Sequence, residues 1–156
     1  MTMATAALDD ALKIEALRTL KFAVSDCDRS LAFYESVFGV QRLPQADHKD
    51  EDGNLYAYIC QWPAIGTLLD LRLLPAHAAA ARRLDVISLA VPTRDNLDAW
   101  IKHLDAQGAR HSGIIPTRMS WCIVVEDPDG RFIKLFARQG HGPEVESDMG
   151  NDWFRN

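Results

Sequence analysis

The residue types in this chain that could do chemistry are few, and the most informative is a lysine. Lys134 falls in Phe132-Ile133-Lys134-Leu135-Phe136, the second arm of a hairpin over 121–136 that turns on Asp127-Pro128-Asp129-Gly130. Proline presets φ and glycine accepts positive φ, so these four residues read as a turn. Side chains alternate along a strand, which puts Phe132, Lys134 and Phe136 on one face and Ile133 and Leu135 on the other. A lysine between two phenylalanines can pair with an anionic ligand or, if burial lowers its pKa, act as a base. An internal ion pair would satisfy the same charge without any chemistry.

The other reactive types are scattered. His48, His77 and His141 fall in loops or linkers, where solvation accounts for them, and His103 falls on a helix. His111 lies near a strand that could approach a pocket, but no two histidines have the i, i+4 spacing of a helical metal pair. Cys27, Cys60 and Cys122 are odd in number and far apart, which leaves neither a disulfide framework nor a C-x-x-C zinc site and points to a reducing, cytoplasmic compartment. Cys27 follows Asp26 near a helix start, where a thiol pKa can fall, although a plain surface thiol is the simpler account. Tyr56, Tyr58 and Trp62 share one strand parity and could stack on a flat ligand, as could Trp121; ordinary sheet packing explains them equally well. No G-x-S-x-G or phosphate-binding loop occurs.

The elements that must hold these residues follow from periodicity. With 156 residues, 47% of them apolar, the chain is long enough for one domain or two half-modules around a core. A net charge of −5 without any Lys/Arg run argues against a nucleic-acid partner, and no apolar run is long enough to span a bilayer. Residues 1–8 lack the basic and apolar regions of a signal peptide, so the expectation is a soluble protein of the cytoplasm. A short helix-compatible extension covers 11–17. Then come a strand over 19–24, a helix over 29–38 stopped by Gly39, a short strand over 40–43, a polar loop over 45–54, and strands over 55–61 and 67–74.

After an Ala-rich linker the same order starts again. Val86-Ile87-Ser88-Leu89-Ala90-Val91 repeats the first strand, 97–107 reads as an amphipathic helix stopped by Gly108, and a short strand over 109–112 precedes a loop and the hairpin. Two copies of β-α-β-β-β at an offset of roughly 66 residues divide the chain into an extension (1–16), a first module (17–75), a linker (76–83), a second module (84–138) and a tail (139–156). The tail reads as loose, with docking of Trp153 and Phe154 onto a partner subunit as the other reading.

Val24-Ser25-Asp26, Arg29-Ser30-Leu31-Ala32-Phe33-Tyr34, Val37-Phe38-Gly39 and Asp127-Pro128-Asp129-Gly130-Arg131-Phe132-Ile133 occur in this order within the duplicated frame. On these residues the chain resembles the vicinal-oxygen-chelate superfamily of glyoxalases, bleomycin-resistance proteins and ring-cleaving dioxygenases. The resemblance spans about 17–137 and implies an α+β fold in which two βαβββ modules form curved mixed sheets around a cavity, often paired in a homodimer. It further implies metal ligands on the first and last strands of each module, typically His, Glu or Gln, His and Glu. Here those positions hold Thr19, Asp70, Val86 and Lys134. A catalytic cation needs about three N or O ligands, and only Asp70 qualifies, so neither a metal nor any other cofactor is expected.

The same resemblance directs the ligand positions toward the cavity, together with their i±2 neighbours. That assigns Thr19, Lys21, Asp70, Arg72, Ser88, Phe132, Lys134 and Phe136 to the ligand, with Tyr56, Tyr58 and Trp121 as candidates for stacking. A pocket of aromatic walls with a few polar groups suits a small organic molecule. The expected function is metal-independent sequestration of a drug or natural product, as in the bleomycin-resistance branch. The alternative is a metal-free isomerase, cyclase or lyase in which Asp70 and Lys134 transfer protons. A Lys134–Asp70 ion pair filling the vacated metal position is the structural reading of the same two residues.

Overall fold

The computed structural model describes residues 9–155. The first module comprises β1 (Thr19–Val24), α1 (Cys27–Phe38), β2 (Gln41–Arg42), β3 (His48–Lys49), β4 (Leu55–Trp62) and β5 (Thr67–Leu73). After the short α2 (Pro75–Ala80) the second module comprises β6 (Asp85–Val91), α3 (Arg94–Ala106), β7 (His111–Pro116), β8 (Trp121–Glu126) and β9 (Phe132–Ala137). The first sheet has the order β1-β5-β4-β2, with β3 also on β4, and the second has the order β6-β9-β8-β7. In each, the first strand runs parallel to the last and the other neighbours are antiparallel. The duplicated α+β architecture is therefore observed.

Local chemistry explains the boundaries. The Asp26 carboxylate accepts from the Arg29 backbone N–H at 2.9 Å and starts α1 two residues earlier than periodicity suggested, while Gly39 ends it at φ 67°. Thr93 and Asn96 form a reciprocal capping box that starts α3 at Arg94. The linker folds as α2 because Pro75 fits a first helical position. The 113–117 loop belongs mostly to β7, whose register shifts between His111 and Ile114, where Gly113 takes φ 72°. Among the described residues of the N-terminal extension, Asp10–Leu12 forms a 3₁₀ turn. Among the described residues, no helix is long and apolar enough to cross a membrane.

One core serves both modules. Phe22, Val24, Leu69 and Leu71 of the first sheet and Ile123, Val125, Ile133 and Leu135 of the second pack in the same cluster with Tyr34, Phe38, Leu97 and Leu104 of the helices. The Phe38 and Trp100 rings lie 5.8 Å apart, and His103 Nε2 lies 2.9 Å from the Val37 carbonyl oxygen. α1 and α3 thus fill the space between the sheets. The remaining face of each sheet is directed outward, away from the other, so the two sets of residues expected to line one cavity do not meet within a chain.

The Asp127–Gly130 turn locks the modules together. Asp127 accepts from the backbone of Asp129 and Arg131, from the Tyr34 hydroxyl at 2.8 Å and from Arg131 Nη1 at 2.6 Å. Arg131 Nη2 also donates to the Ala23 carbonyl of β1, and Asp129 accepts from Ser25 and Arg29. The second module's hairpin is in this way keyed to the first module's strand and helix. Tyr34, wholly enclosed beside Asp127, has its hydroxyl pKa raised well above the ordinary value by burial and by that carboxylate, so it remains a donor.

The cysteines are free, and burial pushes the Cys60 and Cys122 thiols up to about 12. Thiols of the unfolded chain ionise near pH 8.5, so above that pH the unfolded state binds fewer protons than the folded one. Stability is then fully present below about pH 8.5 and should fall by roughly 1.4 kcal/mol per pH unit for each of these thiols as pH rises toward 12. Urea unfolding across that interval tests this. The Cys122→Ala variant should show the shallower decline, and equal slopes would place the alkaline sensitivity elsewhere.

Candidate functional site

The outer face of the first sheet gathers the polar candidates. β1 and β5 are parallel neighbours that set Thr19 beside Leu68, Lys21 beside Asp70 and Ala23 beside Arg72. Asp70 is only 1% exposed and ion-paired with Arg72, whose Nη2 lies 2.8 Å from its carboxylate and 3.2 Å from His48 Nδ1. The hydrogen bonds it donates to the Asp70 carboxylate raise the Arg72 guanidinium pKa above its ordinary value. Because Nη2 is a donor, His48 Nδ1 accepts, which places the ring proton of neutral His48 on Nε2. Tyr56 joins this group, with its ring 5.8 Å from His48 and 5.4 Å from the Arg72 guanidinium carbon. The cavity here measures about 240 Å³ and is lined by Arg18, Thr19, Lys21, His48, Ile59 and Asp70 among others.

His48 was not among the sequence candidates. It reaches the site through β3, a two-residue strand with an irregular register on β4, and nothing in the local pattern of the polar 45–54 stretch marks it.

The outer face of the second sheet carries the aromatic candidates. Lys134 stands between Ser88 on β6 and Val124 on β8, with Phe132 and Phe136 on the same side. Its ammonium pairs with Asp85, at the start of β6, and lies 5.1 Å from the centroid of the Phe154 ring. The Lys134–Asp70 pair is therefore not formed within the chain: each group has its own partner on its own sheet. Ser88 and Phe136 keep access to the surface, whereas Phe132 is 1% exposed.

Phe132 is covered by the tail, which is not loose. After β9 the chain passes Met119, where the His141 N–H donates to its carbonyl at 3.0 Å, and reaches the β7 edge, where the Asp148 N–H donates to Pro116 at 2.8 Å. It then crosses the sheet to the β6 edge, where Arg83 donates to the carbonyls of Asp152 and Arg155 at 2.7 and 2.9 Å. Under this strap, Trp153 lies 5.3 Å from Phe132, and both strap aromatics pack on the cluster of Ile115, Cys122, Val124 and Phe132. Residues docked onto the chain's own second sheet replace the expected free end.

Two aromatic candidates lie elsewhere. Tyr58 pairs with Leu71 and faces the helices, its hydroxyl donating to Asp28 at 2.7 Å under the Arg42 guanidinium. Trp121 also packs against the helix-side core, with its ring 4.9 Å from His141. His111 is held at the β7 edge by Asp105 at 2.8 Å and by the Gly113 N–H. Cys27 has no lowered pKa: burial and the neighbouring Asp28 and Asp26 raise it, and its Sγ lies 3.6 Å from the Leu71 carbonyl.

These surroundings do not suit a metal ion. Among the described residues, no three His, Cys, Asp or Glu side chains converge as a ligand group. The Asp70 carboxylate is taken up by Arg72, and Lys134 presents an ammonium paired with Asp85. A divalent cation would meet guanidinium and ammonium groups ahead of acceptors.

The duplicated βαβββ chain, with two four-stranded or larger sheets around one shared helical core, defines a fold class by its architecture. The sequence signature of the Glyoxalase/Bleomycin resistance protein/Dioxygenase superfamily matches residues 16–135, and the chain belongs to this superfamily. No curated protein matches it in sequence. Among solved structures it is similar to TnmS3, an antibiotic binding protein from Streptomyces sp. CB03234, at 23% identity over 82% of this chain and 99% of that one, with a TM-score of 0.64. It is also similar to the fosfomycin resistance protein FosX from Listeria monocytogenes, at 14% identity over 81% of this chain and 96% of that one, with a TM-score of 0.63. A superfamily member from Sphaerobacter thermophilus DSM 20745 is 22% identical over 80% of this chain and 98% of that one, with a TM-score of 0.57.

Proposed function

We propose that this chain sequesters a small organic molecule without a metal ion, in a cavity closed when two copies associate. The outer face of the first sheet of one copy, with Lys21, His48, Asp70 and Arg72, would be roofed by the outer face of the second sheet of the other, with Ser88, Lys134 and Phe136. The observation that carries this reading is the state of the superfamily's ligand positions: Thr19 and Val86 offer no strong ligand, and Asp70 and Lys134 are each neutralised in place. Polar anchors opposite aromatic walls are the composition of a ligand pocket. The likeness to an antibiotic binding protein and to a fosfomycin resistance protein agrees with this class of ligand. Proton transfer by Asp70 and Lys134 has no comparable support, because both groups are already held by counter-ions.

Native mass spectrometry of the purified protein, with thermal melting against bleomycin and a panel of aromatic antibiotics, tests the reading. The expected outcome is a dimer that retains no divalent ion and is stabilised by about 2.7 kcal/mol when a ligand is present at a hundred times its Kd. The ligand should be recovered with unchanged mass. A retained stoichiometric divalent ion, or recovery of an altered molecule, would overturn it.

A further inference from the structure

The strap formed by residues 139–155 is fastened at both edges of the second sheet and borders an open pocket on it. Beside Phe154, between strap and sheet, lies a cavity of about 420 Å³ whose lining includes Arg118, Met119, Lys134, Phe136, Met149 and Phe154. That volume falls within the range of small-molecule sites. Unlike the two-copy cavity, all of this lining comes from one chain. We propose that the strap is a wall of the binding site, and that the chain holds a flat, apolar, singly anionic molecule between Phe136 on the sheet and Met149 and Phe154 on the strap, with its anion at Arg118. This rests on the sequestration reading and adds to it the bordering segment and the ligand class.

The lining dictates that class. Two phenylalanines and two methionines supply faces that fit a planar aromatic body, and the unbranched thioethers adapt to its outline. Both charged groups of the lining are cations. Lys134 is compensated by Asp85, which leaves Arg118, in the turn between β7 and β8, as the group to meet a carboxylate, sulfonate or phenolate. Trp153 does not line the space: it is spent on Phe132, with the Arg110 guanidinium 5.4 Å from its ring centroid. The strap therefore has one aromatic that fastens it and one that faces the cavity.

The test is fluorescence titration of the full chain with two probes that differ only in the anion, 8-anilinonaphthalene-1-sulfonate and the neutral N-phenyl-1-naphthylamine. The sulfonate should bind at one per chain and about tenfold more tightly than the neutral probe, the scale of one charge-assisted contact. Phe154→Ala and Met149→Ala should each weaken both probes, by about tenfold for Phe154→Ala. Arg118→Gln should weaken the sulfonate alone, to the level of the neutral probe. Unchanged circular dichroism shows that the variants are folded. No saturable binding of the sulfonate, or unchanged or tighter binding in Phe154→Ala, overturns the proposal; the latter would show that the strap plugs the sheet. If Lys21→Ala, on the opposite face, leaves sulfonate affinity unchanged while Phe154→Ala lowers it, the strap site stands and the two-copy cavity is the part that fails.

Discussion

Replacing Arg131 by methionine should lower the melting temperature by roughly 10 °C, on the basis of about 3–5 kcal/mol for a broken buried ion pair and about 2–4 °C per kcal/mol in a chain of this size. Arg131 is 2% exposed, and its partner Asp127 is enclosed completely. Methionine keeps an unbranched apolar stem but leaves the carboxylate in the core without its counter-ion, where water cannot reach it. The loss of the Ala23 contact adds to the cost by leaving a β1 carbonyl without its donor. Differential scanning calorimetry gives the shift. The double variant Arg131→Met/Asp127→Asn should recover part of the loss, since asparagine still accepts from the turn backbone and carries no charge. A single-variant shift of no more than about 2 °C, or a fully additive double variant, would show that this pair does not key the hairpin to the first module. The consequence for function is geometric, because the same lock sets how the two outer faces are directed.

Phe132→Ala should be nearly as costly, at about 3 kcal/mol or more for an enclosed phenylalanine. Phe132 is the floor on which Trp153 rests, and the Arg83 guanidinium lies 5.0 Å from its ring centroid. Removing the ring should therefore loosen the strap as well as leave a void. Limited proteolysis should show first cleavage moving into 139–155, and the tryptophan emission should shift to the red as Trp153 meets water. Phe136→Ala removes a half-buried ring from the same face and should cost less than half as much. Equal losses for the two, with the strap still protected, would mean that the tail is not fastened through Trp153.

The repeat and the inner and outer sides of β1, β5 and β9 were legible in the chain. Alternation with one uniformly apolar set, as in Leu20, Phe22 and Val24 or in Ile133 and Leu135, leaves a single choice of which side meets the helices. On β4 that logic fails. Ala57, Tyr58, Ile59 and Cys60 are all buried, because helices cover one side and the 44–49 segment crowds the other. A strand enclosed on both faces carries no parity signal, and Tyr56, which shares its parity with core-facing Tyr58, comes to lie beside Arg72 where the register of β3 on β4 shifts between Ala57 and Leu55.

That Thr19, Asp70, Val86 and Lys134 stand at the corresponding places of the two repeats is likewise a matter of sequence, since it depends only on which residue follows which. Tertiary structure alone decided the rest: that α1 and α3 lie between the sheets and turn the two polar faces outward, that Arg72 and Asp85 take the partners that Asp70 and Lys134 could have been for one another, and that the tail returns over its own sheet. Each of these is a contact between segments distant along the chain. Such contacts are selected by the burial they jointly achieve, and no periodicity within a single segment encodes them.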